Sequence, residues 1–315
     1  MPHFVRMLAA LLLMGASIFA ETKIEAVAGQ GMFTLAYEGA TDFSGLTWVS
    51  SERFFAVSDK VRALFPLTLR VEAETGRIVE GSFGAAMPVK TKLGDFEGIA
   101  YVPALKRLYV SAETGSGIVG FDLLGDATFA VQVPKVFART RRNKSLESLT
   151  YGAGALWTAN EEALEGDGAG SSASAGTLVR LQKFDSRMRP VAQFAYRTEP
   201  SLFRISNGGT GVSDLLALPN GELLVLERGV GLGLAVRIFR VDFAAATDTS
   251  ALARLEGADF TPVRKTLLYE RHTTTVNFEG ITLGPALAEG WRSLLLIADS
   301  SGETDHLFMP LRIRF

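Results

Sequence analysis

The chain is expected to fold as an all-β β-propeller of five four-stranded blades, closed by an N-terminal strand, with six blades as the other count. Three observations predict this. A short pattern recurs five times, each copy is followed across a turn by a second apolar run ending at an acidic residue, and the copies are spaced as blades are. The copies are Ser44-Gly-Leu-Thr-Trp48, Glu97-Gly-Ile-Ala-Tyr101, Glu147-Ser-Leu-Thr-Tyr151, Asp214-Leu-Leu-Ala-Leu218 and Glu279-Gly-Ile-Thr-Leu283. Starting at residues 44, 97, 147, 214 and 279, they lie 53, 50, 67 and 65 residues apart. The two longer intervals leave room for a degenerate sixth blade.

From the N-terminus, residues 1–20 read as a signal peptide: Arg6 precedes an apolar run from Met7 to Phe19, and Ala20 precedes Glu21. The run is shorter than the ~20 residues a spanning helix needs. Residues 21–315 are then expected as one propeller domain, monomeric and periplasmic or secreted after cleavage near Ala20, without a transmembrane segment. Met32 to Tyr37 is the candidate closing strand. The second runs, Phe54–Val57, Leu108–Val110, Leu156–Ala159, Leu223–Leu226 and Leu294–Ala298, meet Asp59, Glu113, Glu161, Glu227 and Asp299. Leu67–Val71, Leu178–Gln182 and Val236–Val241 supply strands further out. Only Leu307–Phe315 follows the last pair, so the fifth blade lacks an outer strand until the N-terminus provides one. Within each copy, Thr47, Ala100, Thr150, Ala217 and Thr282 are small residues alternating with large ones. That suits innermost strands converging on an axis.

In a blade the first strand starts and the second ends on the same face. Glu97, Glu147, Asp214 and Glu279 therefore join the five strand-end acids to place up to nine carboxylates around one mouth. Two carboxylates ~4 Å apart repel by ~4 kcal/mol at an effective dielectric near 20. Such a ring requires a cation, shared protons or separation across water. Hard oxygen donors without Cys or a His cluster point to Ca²⁺, with Mg²⁺ second, on Glu97, Glu147, Asp214 and Glu279. Taken singly, each acid can instead accept backbone N–H groups at a turn. Cations flank the acids: Lys90 and Lys92, Arg142 and Lys144, Arg271 and His272, and Arg228. A divalent ion beside Arg and Lys suits a phosphate group.

The series Phe43-Ser-Gly-Leu-Thr-Trp48, Asp95-Phe-Glu-Gly-Ile-Ala100, Ser145-Leu-Glu-Ser-Leu-Thr150, Val212-Ser-Asp-Leu-Leu216 and Asn277-Phe-Glu-Gly-Ile281 resembles the phytase-like family, also called esterase-like activity of phytase. The resemblance runs from about Phe43 to Phe315. It implies a phosphoester hydrolase whose repeated acids are the active groups, with Ser148 in place of the usual Gly and Asp214 where Glu is common. The expected roles follow: Glu113 or Glu227 deprotonates water, Arg142, Lys144 and Arg228 orient a small phosphorylated substrate, and the axial acids hold the metal. A lactonase-type propeller hydrolase and a Ca²⁺-stabilised binding propeller are the alternatives.

Composition removes other classes. With no cysteine, thiolate nucleophiles, disulfides and iron–sulfur clusters are excluded. A formal charge of -2 gives no basic footprint for nucleic acid. Beyond residue 20 only His272 and His306 remain, too few for a multi-His zinc site, and no Gly-x-Ser-x-Gly elbow occurs. Glu165-Gly-Asp-Gly lacks the EF-hand ligand series and reads as a loop near the acidic face.

Overall fold

The computed structural model describes residues 21–141, 144–201, 209–231 and 233–315. The expected signal segment lies outside them. Five antiparallel sheets are arranged so that each innermost strand touches the innermost strands on either side, all the way round. The ring therefore closes at five blades.

Blade one comprises Phe43–Ser50, Arg53–Ser58, Ala63–Val71 and Ile78–Phe83, with Met87–Pro88 added to its third strand. Blade two comprises Gly94–Val102, Arg107–Thr114, Gly117–Asp122 and Ala127–Val131. Blade three is Thr150–Gly152, Ala155–Ala159, Leu178–Phe184 and Pro190–Arg197, and blade four is Thr210–Ala217, Leu223–Val230, Leu234–Asp242 and Arg264–Thr273. Blade five takes Asn277–Ala286, Arg292–Asp299 and Asp305–Arg314 from the C-terminus. Its outer edge is covered by two N-terminal segments rather than one: Phe33–Ala36 pairs with the start of Asp305–Arg314, and Lys23–Ala26 with its end. Joining both chain ends in one sheet removes the free edge.

The longer intervals hold insertions, not a sixth blade. Residues 160–177 link the second and third strands of blade three. Residues 243–263, between the outer strands of blade four, fold back over the edge of blade three, where Val263 donates to the Ala195 carbonyl at 2.9 Å and Phe243 stacks on Trp157.

Apolar positions of neighbouring sheets meet in dry clusters between blades. One contains Phe43, Phe65 and Phe308; another contains Leu226, Phe278 and Leu296. Near the axis the backbones come too close for side chains. A Cβ at Gly45 would lie 2.3 Å from the Glu97 carbonyl oxygen, and one at Gly98 would lie 2.2 Å from the Leu149 nitrogen. Blade-to-blade approach thus requires glycine at these two positions, while blades three and four carry Ser148 and Asp214 at theirs. Threonines fasten three junctions: Thr47, Thr150 and Thr282 accept from the backbone N–H groups of Tyr101, Ala217 and Trp48 at 3.1, 3.0 and 3.1 Å.

These contacts reveal that blade four is offset by one residue from its expected alignment. Ala217 donates its N–H to a neighbouring blade's threonine as Tyr101 and Trp48 do in theirs, so it occupies the fifth position of the pattern, not the fourth. The ladders agree. Bulges at Ser44, Ser213 and Glu279 fall between the pairs Phe43↔Ser58, Val212↔Glu227 and Phe278↔Ala298 and the pairs that follow them. Ser213 therefore matches Ser44, Glu97, Glu147 and Glu279, whereas Asp214 takes the glycine position. Leu216, not Ala217, is the residue equivalent to Thr47.

Candidate active site

The acidic mouth lies where the innermost strands begin. A bulge re-aims the residue it adds, and here it directs the first residue of the pattern toward the axis. The inner ring is Ser44, Glu97, Glu147, Ser213 and Glu279. The ends of the second strands contribute Asp59, Glu113, Glu161, Arg228 and Asp299. The offset of blade four thus exchanges an expected carboxylate for a guanidinium. Seven carboxylates converge instead of nine: Asp59, Glu97, Glu113, Glu147, Glu161, Glu279 and Asp299.

The two displaced acids have structural surroundings. Asp214 accepts from the N–H groups of Leu215 and Ile281 at 2.8 Å each and of Leu149 at 3.4 Å, joining blades three, four and five. Both its oxygens are used by backbone. Glu227 is fully buried between blades three and four, accepting from Tyr196 Oη at 2.6 Å, Lys265 Nζ at 2.7 Å and Glu199 N–H at 3.0 Å. It therefore faces away from the axis, because it aligns with Ser58 and Ala298 rather than with Asp59 and Asp299.

Arg228 instead reaches the centre. It forks between Glu161, at 2.8 Å, and Glu279, with Asn277 bonded to Glu279 at 2.8 Å. Lys144 donates to both oxygens of Glu161 at 2.7 and 2.8 Å. Glu113 accepts from the Ser145 N–H at 3.0 Å on the rim, and burial pushes its carboxyl up. Arg142 lies outside the described residues. The remaining expected cations do not enter the ring: Lys90 and Lys92 are exposed, and Arg271 and His272 lie on the outermost strand of blade four. Glu165-Gly-Asp-Gly belongs to the 160–177 insertion, where Asp167 pairs with Arg180.

Proton affinities diverge across the cluster. Burial, reinforced by the charges of Glu97 and Glu161, raises Glu147 well above the usual carboxylate range. Burial also acts to raise Glu161, but Arg228 and Lys144 outweigh it and hold that carboxyl below its ordinary value. Glu147 beside it also favours the ionised form of Glu161, so the two neighbouring carboxyls have unequal proton affinities. Burial and then the charge of Glu279 raise Glu97 strongly, and burial against the pull of Arg228 brings Glu279 to about 7. Neighbouring carboxyls with proton affinities driven apart form the pattern that assigns acid and base roles.

The donor set is hard oxygen, suited chemically to Ca²⁺ or Mg²⁺. Among the described residues, however, no group of three or more His, Asp or Glu side chains stands ready to hold a metal ion. Sequence reasoning placed Glu161 at the mouth and Arg228 among its flanking cations, but missed the fork by which Arg228 joins Glu161 to Glu279. The signal was present in the serine shared by Phe43-Ser44 and Val212-Ser213, which fixes blade four's register better than its acids do.

Fold and site together define a five-bladed propeller with a carboxylate-lined axial mouth bridged by one arginine. Residues 39–301 match the phytase-like family described as "Esterase-like activity of phytase", and the chain belongs to that family. No curated protein sequence matches it. Several solved structures are similar to it at low identity. Kuenenia stuttgartiensis hydrazine synthase is 11% identical with a TM-score of 0.40, the match covering 84% of this chain and 58% of that one. Selenomethionine-substituted virginiamycin B lyase from Staphylococcus aureus is 8% identical with a TM-score of 0.42, covering 90% and 99%. The PQQ-bound aldose sugar dehydrogenase from Streptomyces coelicolor is 14% identical with a TM-score of 0.44, covering 94% and 99%.

Proposed function

We propose that this chain is an exported phosphoester hydrolase working at its acidic mouth. The observation that carries this reading is the Glu147–Glu161 pair, in which burial raises one carboxyl while Lys144 and Arg228, both bonded to the other, hold it low. Glu161 stays anionic under Arg228 and Lys144 and is placed to take a proton from water. Glu147 retains a proton that it can give to a leaving oxygen. Glu113, the expected base, sits on the rim, where it can exchange protons with solvent. Lys144, partly exposed, offers donors to a phosphate oxygen, and Arg228 holds Glu161 and Glu279 in place.

A phosphate approaching this many carboxylates requires further positive charge. Glu97 and Glu279 are the residues that would hold Ca²⁺ or Mg²⁺, since Glu147 keeps its proton for the leaving oxygen, and the ion would polarise a phosphoryl oxygen. Since no three of the described carboxylates stand close enough to chelate an ion together, the fitting mode is one or two protein carboxylates sharing the ion with the substrate's own phosphate.

The test is a panel of phosphomonoesters, phosphodiesters and phytate, assayed with Ca²⁺, with Mg²⁺ and with chelator. Turnover is expected to fall by ~10² or more in Glu147→Gln and Glu161→Gln while both variants remain folded. Background rates across the whole panel would overturn the proposal. Hydrolysis of sugar lactones lost in Glu97→Gln would replace it with a lactonase. A Ca²⁺-dependent melting temperature without any turnover would leave a binding module.

A further inference from the structure

The opposite mouth of the axis has contrary chemistry. Where the innermost strands end, a funnel of about 270 Å³ opens, enough for roughly nine waters' share of liquid volume. The fifth position of the pattern lines it in every blade, with Trp48, Tyr101, Tyr151, Ala217 and Leu283 in order round the axis. The offset of blade four leaves Ala217 where the other blades carry large side chains, so the funnel is widened on that side. Trp48 Nε1 donates to the Ser51 carbonyl at 2.9 Å, which orients the indole.

One charge stands in this apolar wall. Arg292 lines the funnel with its guanidinium 5.0 Å from the Trp48 ring centroid. Its Nη2 donates to the Gly284 carbonyl at 2.9 Å, while its Nε is buried without a partner. No carboxylate pairs with it among the described residues, whereas Arg180, Arg228, Arg237 and Arg312 each have at least one. Burial acts alone on Arg292 and lowers its proton affinity. A half-buried cation with a buried, unused donor is costly unless something supplies the missing acceptor.

We infer that this funnel is a second ligand site, taking a small aromatic carboxylate whose ring lies among Trp48, Tyr101 and Tyr151 and whose anionic group meets Arg292. The size and apolar lining favour a compact planar body, and the unpaired guanidinium selects its charge. This site is independent of the acidic mouth and needs no chemistry there.

The experiment uses the full chain after removal of residues 1–20 and three probes of one shape: 2-naphthoate, 2-naphthamide and 2-naphthylammonium. Binding is read by calorimetry and by quenching of tryptophan emission, to which Trp48 contributes from the funnel wall. The wild-type protein is expected to bind naphthoate at least tenfold more tightly than the amide and to prefer the amide to the ammonium. Arg292→Gln should remove the anion preference and leave amide binding within twofold, and Arg292→Lys should restore part of it. An absence of naphthoate binding up to millimolar concentration would overturn the inference. So would equal affinity for the three probes in the wild-type protein, a result that needs no variant to fold.

Discussion

Two buried arginines, Arg180 in blade three and Arg228 at the axis, show how differently one side chain can be used. Arg180 is fully buried, and its fork grips Asp167 through Nε and Nη2 at 2.5 and 2.8 Å. Its Nη1 donates to Gln193 Oε1 at 2.5 Å and to the Leu252 carbonyl at 3.0 Å. Asp167 also accepts from the Leu255 N–H at 2.9 Å. One cation meets one anion, and neutral groups satisfy the rest. Arg228 faces two carboxylates directly, with Glu97 and Glu147 beyond them. The first arrangement is a closed structural unit fastening the 160–177 and 243–263 insertions to blade three. The second leaves more carboxyls than cations, with protons making up the difference, which a structural role does not require and a reaction or a cation can use.

The largest effect is expected where the balance is complete. Asp167→Ala should cost ~3–5 kcal/mol in denaturant unfolding, because it strands a buried guanidinium. The double variant Asp167→Leu/Arg180→Met should recover most of that loss, since the charge and its counter-charge leave together. If the single change cost less than ~1 kcal/mol, the pair would be wet and the contrast with Arg228 would disappear.

At the axial mouth the sign reverses. Glu97 resists ionisation because of burial and the nearby Glu279, so Glu97→Gln should stabilise the protein at pH 8, on the order of 1–2 kcal/mol. The pH dependence follows from Glu279. Its carboxyl titrates near 4.5 when unfolded and is raised to about 7 in the fold. The unfolded chain therefore loses this proton first, and stability falls as pH rises from about 4.5 through about 7. Thermal melts across that window check the slope, and saturating Ca²⁺ at pH 8 should reverse part of the fall. A flat profile, or destabilisation by Glu97→Gln, would make the cluster as balanced as the Arg180 pair.

The same contrast explains what could be read from the chain alone. Blade number, closure by the N-terminus and the glycine position were legible, since each depends on a repeated local pattern that spacing preserves. Glu97, Glu147 and Glu279 were legible as ring residues for the same reason. Asp214 and Glu227 were not, because blade four carries an acid one place away from each ring position, and a bulge in the ladder decides which residue turns inward. Matching acids to acids put that blade one residue out. Arg292 gave no signal, since its lack of a partner is a property of packing and not of sequence spacing.

The smallest effect concerns the fastening of the blades themselves. Thr282 accepts the Trp48 N–H at 3.1 Å, across the junction where the last blade meets the first. Thr282→Val keeps the shape and leaves that N–H without its acceptor, so a loss of about 1–2 kcal/mol is expected. Thr282→Ser, which retains the oxygen, should cost less than half as much. The equivalent change at Thr47 should match it, since its bond to the Tyr101 N–H has the same length and joins an ordinary junction made by continuous chain. A much larger loss at Thr282 than at Thr47, measured by urea unfolding of both valine variants, would show that the closure between the termini is the weak seam of the ring. Equal losses would mean that the two N-terminal segments pairing with Asp305–Arg314 already make that seam as secure as any other.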